Sequence, residues 1–176
     1  EAEACCKRTL ELKPDLVQAW DNLLFVLNFD PDRSAEEIYK LHREYDERFG
    51  VPLRGSWREH GNSREPGRRL KVGYVSPDFC SHPVSFFLEP LLANHDKAVV
   101  KVVAYAEVRR EDEVSARFKG YVDRWIRTVG MSDEALSERI RGDGIDILVD
   151  LAGHTAGNRL QVFARKPAPV QITYLG

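Results

Sequence analysis

The chain has 176 residues, of which 43% are hydrophobic and 31% charged, a composition typical of one ordinary globular domain with a smaller appendage. A formal net charge of −2 and an isoelectric point near 6.3 disfavour nucleic acid or an anionic membrane as the main partner. Three cysteines are too few for a disulfide-stapled secreted domain or a zinc site, and no apolar run reaches the roughly 20 residues of a membrane span, so we expect a cytoplasmic protein without a metal.

The first predicted elements are two helices separated by a proline turn. Apolar residues recur at helical spacing over 4–12, Pro14 interrupts them, and a 3.6-residue period resumes over 16–27. The junction at 12–15 and the helix face at 19–23 resemble the boundary between two tetratricopeptide (TPR) repeats. A plain helical hairpin is the alternative.

A third helix and a linker follow. Ser34, with Glu37 three residues later, predicts a capping box that opens a charged helix extending to about Phe49. Glycine, proline and charged residues dominate 50–68. This composition predicts a linker between TPR-like helices at 1–49 and an α/β domain at 69–176.

Beyond the linker, β-type and helical patterns alternate. The β-type runs are at 70–75, 99–105, 145–151 and 170–175, the helical runs are at 84–92, 112–121, 132–141 and 158–165, and a short unassigned piece is at 125–129. The alternation predicts an α/β fold with an open, Rossmann-like parallel sheet and helices on both faces. Since ligands bind at the carboxyl ends of the strands in such sheets, the loops after residues 75, 151 and 175 are the expected places for a site.

The loop at 76–83 carries a carboxylate, Asp78, and an imidazole, His82, four residues apart. At neutral pH both side chains can accept a proton or orient a hydroxyl group, which makes them candidate catalytic residues. Alternatively, Asp78 satisfies turn amides, and His82 caps the helix that Pro83 opens.

The loop at 152–158 joins an apolar strand to a helix through two glycines, so its backbone amides are expected to face a phosphate or a bound peptide. His154 lies in this loop, either in the site or as a packing residue. The remaining histidines are expected to be solvated; they are His42, His60 and His95. The chain lacks a Gly-x-Gly-x-x-Gly fingerprint, a Walker lysine motif and a Gly-x-Ser-x-Gly elbow, which disfavours a dehydrogenase, a P-loop enzyme and an α/β-hydrolase.

Three blocks of the α/β region resemble one family. Residues 70–84, 145–155 and 165–176 are similar to the catalytic region of O-GlcNAc transferases and their bacterial and plant SPINDLY-type relatives, in which TPR arrays precede that region. The Gly-His-Thr-Ala-Gly string at 153–157 resembles the bacterial and plant branches, since the animal enzymes have a lysine at the position of Ala156.

The resemblance implies the N-terminal half of a GT-B fold in an inverting enzyme that transfers GlcNAc from UDP-GlcNAc to Ser or Thr of proteins, without a cofactor or metal. It implies catalytic roles for Asp78 and His82. The positions that it assigns to substrate binding are Pro83, His154, Thr155, Leu175 and Gly176. Protein or peptide acceptors are expected along the TPR-like helices.

Two alternatives stay open at this point. The first is a SPINDLY-like protein O-fucosyltransferase that uses GDP-fucose, because those relatives resemble the chain as well. The second is a non-catalytic TPR adaptor with an α/β binding module. The resemblance places the nucleotide pocket mainly in a second Rossmann-like half, so residues 1–176 alone are expected to be inactive.

Overall fold

The computed structural model describes residues 1–174. The helices in this part are α1 Ala2–Leu12, α2 Val17–Leu27, α3 Ala35–Tyr45, α4 Val84–Ala93, α5 Glu113–Tyr121, α6 Asp133–Asp143 and α7 Leu160–Ala164. The strands are β1 Leu70–Ser76, β2 Val100–Ala106, β3 Arg124–Arg127, β4 Ile147–Asp150 and β5 Val170–Thr173. None of these helices is long and apolar enough to cross a membrane. Leu175 and Gly176, two of the predicted substrate-binding positions, lie outside the described residues.

The five strands form one parallel sheet in the order β3-β2-β1-β4-β5. This confirms the predicted α/β fold with a Rossmann-like parallel sheet. The pattern assigns four strands, whereas the short piece near Trp125 supplies a fifth, β3, which pairs with β2. This strand has only four residues, and Arg124 and Arg127 at its two ends are exposed, so its β-type pattern is weak.

The strand order creates a switch point between β1 and β4. From β1 the chain moves outward through β2 to β3, and it then returns to start β4 on the other side of β1. Connections on the two sides of β1 therefore run in opposite directions, which leaves a crevice at the carboxyl ends of β1 and β4. The loops at 76–83 and 152–158 begin at these two ends.

Helices cover both faces of the sheet, as predicted. One buried apolar cluster contains Leu88 of α4 and Phe118 of α5, and the other contains Ile140 of α6 and Val162 of α7. All four of these side chains are fully buried. The sheet is therefore packed on both sides, and its loops are held on a rigid scaffold.

The first three helices form a smaller core of their own. Trp20 and Leu24 of α2 are buried against Tyr45 at the end of α3. The predicted capping box is confirmed, because the Glu37 amide donates to the Ser34 hydroxyl at 3.2 Å and the Ser34 amide donates to the Glu37 carboxylate at 2.9 Å. The TPR resemblance of this segment stays a prediction.

The predicted linker packs closely against the sheet. A π-helical turn, Asp46–Gly50, and a 3₁₀-helix, Val51–Ser56, continue from α3. Further along, Arg68 makes a two-pronged ion pair of 2.6 and 2.7 Å with the buried Asp146, just before β4. Although burial opposes it, hydrogen bonding from Arg68 and its neighbours lowers the pKa of Asp146 to about 2. The division of the chain into domains at these residues stays a prediction.

Candidate active site

The loop after β1 is anchored by a buried aromatic side chain. Phe79 is fully buried, with its ring centroid 6.0 Å from that of Phe118. The Ser115 hydroxyl donates to the Phe79 carbonyl at 2.7 Å. Since Phe79 fixes the middle of the loop in the core, the flanking side chains of Asp78 and His82 remain 20% and 43% exposed.

The carboxylate of Asp78 is not the group that closes the turn. The Asp78 amide donates to the hydroxyl of Ser76 at 2.9 Å. The side chain of Ser76, not that of Asp78, therefore satisfies this turn amide. Burial raises the pKa of Asp78, while the nearby His82 acts in the opposite direction. A carboxylate with a raised pKa is a stronger base, which is the property that a proton acceptor needs.

His82 uses one ring nitrogen to start α4. Its Nδ1 accepts the Val84 amide at 3.3 Å, and the same atom lies 3.9 Å from a carboxylate oxygen of Asp78, too far for a hydrogen bond. The N-cap is the exposed Pro83, so the alternative that places Pro83 inside the helix and His82 at the cap is wrong by one position, although His82 does accept the first helical amide. In the neutral ring the proton is then on Nε2, so His82 is set up to donate a hydrogen bond from that atom.

The loop after β4 is held by the carboxylate at the end of the strand. The side chain of the buried Asp150 accepts the amides of Ala152 at 3.1 Å and Gly153 at 3.0 Å. The Thr155 amide and hydroxyl both donate to the Ala152 carbonyl, at 3.0 and 2.7 Å. The expectation that the loop amides face a ligand is therefore wrong for these three residues, because their N–H groups are already bonded inside the loop.

His154 connects this loop to the helical segment, which consists of α1, α2 and α3. Its Nδ1 lies 2.8 Å from one carboxylate oxygen of Asp21 on α2, and the side-chain amide of Asn158 donates to the other oxygen at 3.0 Å. The His154 ring also packs against two rings of α3, with centroids 5.0 Å from His42 and 4.9 Å from Tyr45. His154 therefore packs against the helices, as one of the two alternatives predicts, while it remains part of the loop after β4.

The sequence pattern missed two residues of this contact. The prediction that His42 is solvated is wrong, because its partly buried ring packs against His154; burial lowers the pKa of the ring, and the neighbouring His154 lowers that pKa further. Asp21 lies three residues before Leu24 and hence on the same, apolar face of α2. A carboxylate on such a face indicates a buried partner, and this signal was present in the sequence. His95 is not simply solvated either, since it lies 2.8 Å from the Tyr74 hydroxyl.

The two loops touch each other. Gly157 has a φ of +80°, and a Cβ at this position would lie 3.0 Å from the Cβ of Pro77. A cavity of about 440 Å³ lies beside this contact, and its lining includes Arg109 and Arg110, which follow β2 and were not selected from the sequence. Glu107 lines the cavity too, but its carboxylate is paired with Arg159, so the two arginines make this part of the crevice suitable for an anion.

The two loops together carry three functional side chains at the carboxyl ends of the strands. These are the carboxylate of Asp78 with its raised pKa, the N–H donor of His82 and the imidazole of His154. Within residues 1–174, no three or more His, Cys, Asp or Glu side chains are grouped so that they could hold a metal ion. The substrate-binding roles of Pro83, His154 and Thr155 stay predictions.

Comparisons with known proteins agree with this arrangement. The family described as Glycosyl transferase family 41 matches residues 49–176. The chain is 39% identical over 171 residues to a Petunia hybrida protein named "Probable UDP-N-acetylglucosamine--peptide N-acetylglucosaminyltransferase SPINDLY", a match that covers 95% of this chain and 18% of that protein. It is 37% identical over 120 residues to the Caenorhabditis elegans protein named "UDP-N-acetylglucosamine--peptide N-acetylglucosaminyltransferase", covering 65% of this chain and 10% of that protein.

A solved structure matches along nearly the whole chain. It is a mutant of Thermobaculum terrenum O-GlcNAc transferase, with a TM-score of 0.92 and 36% sequence identity, and the match covers 98% of this chain and 33% of that chain. The present chain spans 18% of the length of the petunia protein. The family match includes the whole sheet and both loops of the crevice. The chain belongs to glycosyl transferase family 41.

Proposed function

We propose that the chain is the acceptor-side part of an inverting protein O-glycosyltransferase, which transfers GlcNAc from UDP-GlcNAc to Ser or Thr hydroxyls of proteins. The observation that supports this most is that the loops after β1 and β4, which carry the three candidate side chains, leave neighbouring strands and touch at Pro77 and Gly157, at the switch point of a family 41 fold. The names of the relatives from petunia and Caenorhabditis elegans state the same class of activity.

In this proposal Asp78 serves the acceptor hydroxyl. An inverting transfer is a single displacement, so the hydroxyl loses its proton as it attacks the sugar. The Asp78 carboxylate is partly buried and partly exposed, and burial raises its pKa. It is therefore accessible to a substrate and basic enough to receive the proton.

His82 has a complementary role. Since its Nδ1 accepts the Val84 amide, its Nε2 carries the proton in the neutral ring and donates to an oxygen of the substrate. A donor aimed at an oxygen that gains negative charge in the transition state lowers the barrier. His82 thus orients the substrate or stabilises the transition state, and Asp78 accepts the proton of the acceptor hydroxyl.

The substrates and the setting complete the proposal. The donor is a nucleotide sugar, and the leaving diphosphate is stabilised by amides and cations, without a cofactor or metal. Protein or peptide acceptors reach the site along the helices α1 to α3, and nucleic acid and membranes are not partners. The three free cysteines suit the reducing cytosol, where we place the protein.

The test is glycosyl transfer by the full-length protein with His82→Ala. We expect the rate to fall roughly 10²–10³-fold, as for the loss of other hydrogen-bond donors to an oxygen that gains charge in the transition state. His60→Ala, on the opposite edge of the sheet, is the matched control and should leave the rate unchanged. A rate for His82→Ala within a few fold of the wild type would remove His82 from the mechanism.

A second candidate function is O-fucosyl transfer from GDP-fucose. The string at 153–157, with Ala156 in place of a lysine, and the similarity to SPINDLY favour it. The same assay, run in parallel with UDP-GlcNAc and GDP-fucose, separates the two donors. Binding of peptide with turnover of neither donor would identify the protein as an adaptor.

A further inference from the structure

Asp21 is a carboxylate that the helical segment supplies to a loop of the α/β domain. It is 4% exposed and is separated from His154 by 133 positions in the sequence. Its two oxygens accept from two side chains of the same loop, His154 at 2.8 Å and Asn158 at 3.0 Å. A buried carboxylate is costly unless it is paired in this way, so this contact is specific.

The contact determines where His154 carries its proton. An ionised carboxylate only accepts hydrogen bonds, so the Nδ1 atom of His154 must donate to Asp21. In the neutral ring Nε2 is then unprotonated and presents a lone pair. His154 is therefore a hydrogen-bond acceptor at Nε2.

Asn158 makes a carboxylate necessary at position 21. Its Nδ2 also donates to the Thr155 carbonyl at 3.0 Å, and its Oδ1 accepts the Leu160 amide at 3.2 Å, so the amide of Asn158 cannot turn over without losing both bonds. It therefore always points a donor at position 21. An asparagine there would direct its oxygen to Asn158 and its NH₂ to His154, which forces the His154 proton onto Nε2.

The His154 ring is held on its other sides as well. It is 16% exposed, and its neighbours across the contact are His42 and Tyr45 of α3. With these two residues and Asp46 it lines a cavity of about 280 Å³ between the helical segment and α7. The ring is thus fixed by packing and by one charge-assisted hydrogen bond, yet retains contact with open space.

We propose that Asp21 is a positioning residue of the active site, which keeps His154 in the Nδ1–H form so that Nε2 accepts a hydrogen bond from a hydroxyl group of the substrate. This rests on the proposed glycosyl transfer. The hydroxyl belongs to the peptide acceptor or to the donor sugar. The helical segment then does more than guide polypeptides, since it completes the site.

The first test reads the tautomer directly. In the full-length protein labelled with ¹⁵N-histidine, the signals of the His154 ring are those that disappear from the spectrum of His154→Gln. At a pH where the ring is neutral, we expect protonated Nδ1 and unprotonated Nε2 in the wild type, and the reverse in Asp21→Asn. An Nε2–H ring in the wild type, or the same tautomer in both proteins, would overturn the proposal.

The second test measures turnover by the full-length protein. Asp21→Asn should lower kcat by about 10- to 100-fold, the range seen when a metal-ligating histidine loses its outer hydrogen-bond partner, which plays the same orienting role. The KM that rises identifies the substrate whose hydroxyl contacts His154. Thermal unfolding confirms that the isosteric variant is folded. A kcat within twofold of the wild type, in a folded protein with the reversed tautomer, would contradict the positioning role.

A double variant supplies a rescue that a merely structural role would not give. Without the Asn158 donor, an asparagine at position 21 can turn its oxygen to His154. Asp21→Asn should therefore lower kcat by a smaller factor in the Asn158→Ala background than in the wild type. Equal factors would contradict the proposal. If the wild type transfers no sugar at all, the proposed function fails, and the ¹⁵N spectrum still decides the link between Asp21 and His154.

Discussion

The two loops at the switch point each carry one histidine, and the two histidines have opposite hydrogen-bonding properties. His82 accepts an amide at Nδ1 and so donates from Nε2, whereas His154 donates from Nδ1 to Asp21 and so accepts at Nε2. The residue type is the same in both loops. The partner of one ring nitrogen therefore sets what the other nitrogen can do for a substrate.

The loops also differ in what holds them in place. The first loop is anchored by Phe79 in the core of the α/β domain, and its His82 is 43% exposed. The second loop depends on Asp21 of the helical segment, and its His154 is 16% exposed. The first half of the crevice is thus built by the sheet domain alone, and the second half needs the preceding helices.

The largest expected effect comes from Asp78→Asn, which removes the proposed proton acceptor from the first loop. Transfer by the full-length protein should fall roughly 10²–10⁴-fold. Because burial raises the pKa of Asp78, wild-type activity should decline with falling pH sooner than an ordinary aspartate would predict, and the variant should lack this decline. Asp32→Asn, an exposed carboxylate of the helical segment, is the control with unchanged activity.

An asparagine variant that keeps the same acid-side decline would show that another group titrates there. The first loop would then contribute only the N–H donor of His82, and the contrast between the loops would have to be redrawn.

A smaller effect is expected where the two loops touch. Gly157→Ala places a methyl group 3.0 Å from Pro77 at a φ of +80°, which should lower the free energy of unfolding by about 1–3 kcal/mol in urea titrations. Gly130→Ala is the matched control, since its φ of +87° carries the same backbone strain while nothing lies within 4 Å of the added Cβ, and it should lower the free energy of unfolding less than Gly157→Ala. Equal effects of the two substitutions would mean that the loops are not in contact.

The smallest effect concerns the packing of His154 on the helical segment. Burial lowers the pKa of His42, so the unfolded chain binds the proton that charges this ring more tightly than the folded chain does. The contribution to stability is present above the ordinary histidine pKa of about 6.5 and is lost as pH falls towards the lower pKa of the folded protein. His42→Phe keeps a ring but cannot titrate, so its urea unfolding should depend less on pH between about 5 and 8. Identical pH dependence in both proteins would contradict a lowered pKa of the partly buried His42.

Much of the fold followed from periodicity. Alternating β-type and helical runs predicted the parallel sheet and its two covered faces, because each apolar face has to be buried against another element. The rule that sites form at the carboxyl ends of strands then selected the loops that contain Asp78, His82 and His154. Only β3 escaped, since two of its four residues are exposed arginines.

The pairing inside the site could not be predicted in the same way. Whether His82 and His154 donate or accept depends on the Val84 amide in one case and on Asp21 in the other, and Asp21 is 133 positions from its partner. No local pattern encodes so distant a contact. The loop amides were misjudged for a similar reason, because Asp150 accepts two of them only once the strand has ended in this geometry.

The bond between Asp21 and His154 also limits how proteins of this design can be recombined. A chimera that joined the sheet domain to helices from another source at residue 50 would keep His154 and discard its carboxylate. Such a chimera would keep Phe79 and the two apolar clusters of the sheet, and yet its second loop would lack the carboxylate that holds His154 in the Nδ1–H form. A working graft has to bring an aspartate at the position of Asp21, so the useful boundary for exchange lies before α2 rather than at the linker.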